Sequence, residues 1–142
     1  MNKITKNEIT AVILAGGQAS RMDGEDKGLI VFRELPLIAH VINITKPKVS
    51  QILISANRNF EEYANFGKVI SDDLEGYQGP LAGISKALKV CSTPYLLVLP
   101  CDSPLIDAAL IDSLIEKMEI SNVDICVAHD GLIMHATFAL MQ

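Results

Sequence analysis

Five apolar residues running into two glycines, Ala11-Val12-Ile13-Leu14-Ala15-Gly16-Gly17, constrain this chain more than any other stretch. The run is too short for a helix and carries β-branched Val12 and Ile13, so residues 11–15 read as a buried parallel strand. Paired glycines at the carboxyl end of such a strand let the backbone fold back tightly. Without Cβ atoms, their N–H groups can approach an anion closely. Arg21 and Lys27 follow in the same loop, one a planar fork suited to phosphate oxygens and the other a flexible point charge. Two readings are open on these residues alone: a phosphate cradle, or an ordinary strand-to-helix turn flanked by two solvated cations.

Two familiar phosphate loops are excluded by spacing. A Walker A loop needs four residues between its first glycine and a Gly-Lys pair followed by Ser or Thr, and neither Gly16 nor Gly17 has that continuation. The dinucleotide pattern, with glycines at its first, third and sixth places, is interrupted by Gln18 and Met22.

Composition narrows the class further. A chain of 142 residues with 49% hydrophobic content can build one core and is short for two, so a single domain over residues 1–142 is expected. No apolar stretch reaches the roughly 18 residues of a membrane span. The polar start Met1-Asn2-Lys3-Ile4-Thr5-Lys6-Asn7-Glu8 lacks the apolar segment of a secretory signal. A cytoplasmic protein without membrane partners is the default. Cys91, Cys101 and Cys126 form no CxxC and cannot pair completely, which points to reduced, mostly buried thiols. The net charge of −5 argues against a nucleic-acid partner. Charge is segregated: residues 1–71 hold nine Lys/Arg against seven Asp/Glu, and residues 72–142 three against ten. Cations for phosphate and carboxylates for metal could be divided this way, although solvated surface accounts for much of it.

Along the chain, residues 28–32 form a short apolar segment. Residues 36–44 read as a helix with Pro36 in its first turn and His40 on its exposed edge. Residues 51–56 read as a second buried strand ending at Asn57. That amide suits a base edge or a ribose hydroxyl, and equally the cap of a helix over 60–66. A short strand over 68–71 runs into Asp72-Asp73. Gly79-Pro80-Leu81-Ala82-Gly83 opens a helix over 79–88 with glycine at its cap and proline in its first turn. Gly83 inside that helix costs about 1 kcal/mol relative to alanine, to be offset by tight packing or by close approach of a ligand.

Residues 95–99 are the most continuous apolar run after the first, hence a central strand. Asp102 follows between Pro100 and Pro104, where it could ligate Mg²⁺ or cap a local turn. An amphipathic helix is predicted over 107–118 with Asp107 as its cap. A strand over 124–128, a turn at 129–131 and a last strand over 135–141 complete the reading. Alternating strands and helices with short connections predict an α/β fold, a mostly parallel sheet with helices on both faces.

The stretch Leu14-Ala15-Gly16-Gly17-Gln18-Ala19-Ser20-Arg21-Met22 through Asp26-Lys27 resembles the signature of the molybdenum cofactor guanylyltransferases, a family of nucleotidyltransferases. Relatives that use CTP or activate sugars usually carry Leu-Ala-Ala-Gly in place of Leu-Ala-Gly-Gly. The resemblance continues at Asn57, at Gly79-Pro80-Leu81-Ala82-Gly83 and at Cys101-Asp102, so it spans nearly the whole sequence. It implies a Rossmann-like three-layer fold and transfer of GMP from GTP to the terminal phosphate of molybdopterin, with release of pyrophosphate. It assigns nucleotide binding to Leu14, Ala15, Gly16, Gly17, Lys27, Asn57, Asp72, Gly79, Pro80, Leu81, Gly83 and Asp102. Catalytic roles fall on Arg21, Lys27 and Asp102, with Mg²⁺ on Asp102. The implied partners are GTP, molybdopterin and the proteins that accept the finished cofactor. Asp73 is the alternative to Asp72 if the register shifts by one. Asp23 stands where the family has glycine, Ala136 where it has proline, and the chain ends where family members continue. A C-terminally short domain is therefore expected. The alternatives are a nucleotidyltransferase using CTP or another acceptor, and an inactive nucleotide-binding domain.

Overall fold

A computed structural model describes residues 3–15, 21–22, 25–26, 29–56, 59–71, 80–101, 108–121, 123–129 and 134–141. Its elements run β1 (Ile9–Leu14), β2 (Arg21–Met22), β3 (Glu25–Asp26), β4 (Val31–Phe32), β5 (Leu35–Pro36), α1 (Leu37–Thr45), β6 (Gln51–Ser55) and α2 (Phe60–Ala64). They continue with β7 (Lys68–Ile70), α3 (Pro80–Val90), β8 (Tyr95–Pro100), α4 (Ala108–Ile120), β9 (Ile125–His129) and β10 (Met134–Met141). Six strands form one sheet in the order β7-β6-β1-β8-β10-β9. The first four are mutually parallel, and β10 runs antiparallel to both of its neighbours. The mostly parallel α/β sheet read from the sequence is the observed architecture.

The two-residue period of the strands sorts the core into two layers. Ala11, Ile13 and Ala15 of the first strand region join Leu97, Leu99 and Ile54 in one cluster, with Ile38 and Val41 of α1, Tyr63 of α2, and Ile111, Leu114 and Met118 of α4. The intervening Val12 and Leu14 join Leu53, Ile70, Leu96 and Val98 on the opposite face, where Ile84 and Ala87 of α3 cover them. All six residues of β1 are buried, as expected of a strand covered on both faces.

Two boundaries differ from the sequence reading for local reasons. Pro36 is the N-cap of α1 and not part of its first turn, with ψ of 147°, because it also pairs with Val31 in the β4–β5 ribbon. The N-cap of α2 is Asn59, in left-handed backbone at φ 54°, a conformation Asn tolerates better than most residues. Asn57 is therefore not the residue that caps this helix. Cys91, Cys101 and Cys126 are in no disulfide, and the latter two are buried. Among the described residues no helix is long and apolar enough to cross a membrane.

Candidate active site at the carboxyl edge of the sheet

The register of the parallel strands brings their carboxyl ends to one line. Leu14 of β1 pairs with Ser55 of β6 and with Pro100 of β8, and Ser55 pairs in turn with Ile70 of β7. The ladder extends one step further, with Ala15 N–H donating to Ser55 O at 2.8 Å and Ala56 N–H donating to Ile70 O at 2.9 Å. Four chain segments thus leave the sheet side by side, across an edge about 15 Å wide given strand spacings near 4.8 Å. Gly16, Asn57, Asp72 and Asp102 are each the second residue after one of those four register partners. In open α/β sheets, ligands bind in the crevice outside the carboxyl ends of the strands.

Of the sequence-derived site residues, Leu14 and Ala15 are buried at this edge. Arg21 lies in β2, whose partner β3 sets it opposite Asp26, the neighbour of Lys27 in sequence. Asp23, where the family has glycine, lies outside the described residues. Pro80 and Leu81 open α3. Gly16, Gly17, Lys27, Asn57, Asp72, Asp73, Gly79 and Asp102 lie outside the described residues.

Gly83 shows what its missing side chain permits. A Cβ there would stand 3.2 Å from both Leu14 Cδ2 and Ser55 Cβ, and closer still to the Ser55 hydroxyl. The glycine lets α3 press directly onto the ends of β1 and β6, which offsets its helix-propensity cost. Tight helix-to-sheet packing, one of the two readings open for Gly83, is thus present at the same edge. Ser55, buried at the end of an apolar strand, was not singled out from sequence. Its signal was a small polar residue ending an apolar strand, with a glycine in a neighbouring helix.

The family model for the MobA-like NTP transferase domain matches residues 11–141. The chain belongs to that family. A molybdenum cofactor guanylyltransferase from Shewanella sediminis is 51% identical over 125 residues, which cover 87% of this chain and 64% of that protein. The chain therefore spans less than two thirds of the length of this curated relative. Among solved structures, molybdopterin-guanine dinucleotide biosynthesis protein A from Archaeoglobus fulgidus superposes with a TM-score of 0.71 at 21% identity, covering 93% of this chain and 66% of that one. CMP:2-keto-3-deoxy-manno-octonic acid synthetase, complexed with CTP, gives 0.70 at 18% identity, covering 85% and 52%. At these identities the two structures share the fold. The family membership implied by the Leu14-to-Lys27 signature holds.

Proposed function

We propose that this domain binds GTP and transfers GMP to the terminal phosphate of molybdopterin, releasing pyrophosphate. The observation that carries the reading is the common register of Leu14, Ser55, Ile70 and Pro100, with a site residue two positions beyond each. The 51% identity to a named molybdenum cofactor guanylyltransferase supports the choice of nucleotide and acceptor.

Such a transfer sets a phosphate nucleophile against an already anionic α-phosphate, so positioning and charge neutralisation do most of the catalysis. The attacking phosphate is already deprotonated and needs no side-chain base. The backbone of residues 14–17 holds the nucleotide, and Arg21 and Lys27 neutralise charge on the phosphates. Asn57, Asp72 and the segment 79–83 select guanosine. Asp102 supplies a hard carboxylate two residues in sequence beyond Pro100, the end of the strand that pairs with β1, and this donor chemistry fits Mg²⁺ together with substrate phosphates. When bound, the ion would draw charge from the phosphate oxygens and favour departure of pyrophosphate.

A nucleotide panel tests the assignment. GTP with Mg²⁺ raises the melting temperature, and CTP with Mg²⁺ does not. Pyrophosphate is released only when molybdopterin is added. Stabilisation by CTP alone transfers the domain to another nucleotidyltransferase class, and GTP binding without turnover leaves it a nucleotide-binding domain.

A further inference from the structure

Between the glycine loop and α1 lies a second ribbon whose construction is unusual. Strands β4 and β5 are joined by Arg33 and Glu34, both in left-handed backbone at φ 50° and 72°. A two-residue hairpin of this hand favours Asn-Gly or Asp-Gly, and side chains such as these adopt positive φ at a cost. Local sequence therefore does not hold the ribbon closed. Three contacts outside the turn do. Leu37 N–H donates to Ile30 O at 2.9 Å across its base. Leu29 packs against the hydrophobic cluster to which Ile38 and Val41 of α1 also belong. His40 of α1, predicted to be exposed, is half-buried and bonds through Nε2 to the Phe32 carbonyl. A carbonyl oxygen can only accept, so Nε2 carries the proton. The His40 ring also meets the Phe32 ring edge-on with centroids 5.6 Å apart, and the Arg33 guanidinium sits 5.0 Å from the Phe32 centroid.

In sequence, residues 16–28 lie between two fastened positions. Ala15 is tied to Ser55 at the upstream end, and Leu29 to Phe32 are tied to α1 at the downstream end, beginning two residues after Lys27. We propose that His40 is a positioning residue for the phosphate-binding loop: by holding the Phe32 carbonyl, it fixes the downstream end of the segment that carries Arg21 and Lys27. This rests on the nucleotidyltransferase reading above. Its specific content is that His40 acts on the phosphate chain of the nucleotide and not on the base.

The test compares His40→Ala and His40→Gln with the unaltered chain, using GTP–Mg²⁺ and guanosine as separate probes in calorimetric titrations. His40→Ala weakens GTP binding about fivefold, the effect of one lost hydrogen bond, and leaves guanosine binding unchanged. His40→Gln, whose amide can donate to the same carbonyl, restores GTP affinity. In a Lys27→Ala background His40→Ala has no further effect, because both changes act on one element. Amide exchange of residues 29–32 speeds up in His40→Ala without any nucleotide. Equal weakening of GTP and guanosine, no weakening of either, or unchanged exchange overturns the proposal while leaving the guanylyl assignment intact. If the unaltered chain binds CTP in place of GTP, the guanylyl assignment fails, and the same comparison with CTP and cytidine decides the role of His40.

Discussion

The two ends of the parallel strands are finished in different ways. At the amino end, polar groups pair with one another at short range. Ser50 donates to Ile9 O through both its backbone N–H and its hydroxyl, at 2.9 and 3.0 Å. The buried Thr10 hydroxyl lies 2.8 Å from that of Thr93, which donates to Tyr95 O at 3.0 Å. Glu8 and Thr5 form a capping box, Glu119 accepts from Ile4 N–H at 2.7 Å, and Lys48 pairs with Asp112 at 2.9 Å. At the carboxyl end, the described residues show the strand ladder continued to Ala15 and Ala56 and Gly83 packed closely on Ser55 and Leu14. The chain segments bearing the candidate glycines, amide and carboxylates begin there. Among the described residues, side-chain pairs fasten the amino end, whereas the candidate site residues follow the carboxyl end in sequence, where open α/β sheets bind ligands.

The contrast predicts that changes beyond the carboxyl edge act on reaction and binding, and changes at the amino edge act on stability alone. The largest effect is expected for Lys27→Ala, which removes a cation from the developing charge and lowers pyrophosphate release by about a hundredfold or more. The melting temperature stays in place. An unchanged rate would remove Lys27 from the mechanism. Next comes Gly83→Ala, where a Cβ driven against Ser55 and Leu14 costs about 1–2 kcal/mol by chemical denaturation, after allowing for alanine's better helix propensity. Pairing it with Ser55→Gly recovers part of that loss, and a strictly additive double mutant would show that the two positions do not meet.

At the opposite end, Thr10→Val deletes a buried hydroxyl and its bond to Thr93, costing about 1 kcal/mol. Nucleotide affinity is unaffected, and any selective loss of affinity would break the division between the two ends. The smallest effect belongs to Lys48→Ala. Its partner Asp112 is half exposed, so stability moves by no more than about 0.5 kcal/mol, and less at high salt.

Much of the fold could be read from local patterns because a strand buried on both faces has a plain signature. Residues 11–15 and 95–99 are unbroken apolar runs, and they became the adjacent central strands β1 and β8. The candidate site was readable for a related reason: glycines, an amide and carboxylates follow directly on such runs, and strand ends are where an α/β sheet exposes its loops. His40 and Asn59 were harder. Helical spacing alone put His40 at an exposed edge, because that spacing does not show that the preceding ribbon folds back over the helix. Asn59 adopts a left-handed conformation that no propensity marks out against the neighbouring Asn57.

From sequence alone came the α/β class, the parallel arrangement of the central strands and the family signature from Leu14 to Lys27. Each of these depends on residues close together along the chain, where periodicity and turn chemistry act. The tertiary structure alone decided the register that aligns Leu14, Ser55, Ile70 and Pro100, the seating of Gly83 on Ser55, and the fastening of a strained hairpin by His40. The strand register and the Gly83–Ser55 contact join residues far apart in the chain, the His40 contact links a helix to the ribbon just before it, and all are set by packing, which local patterns do not encode.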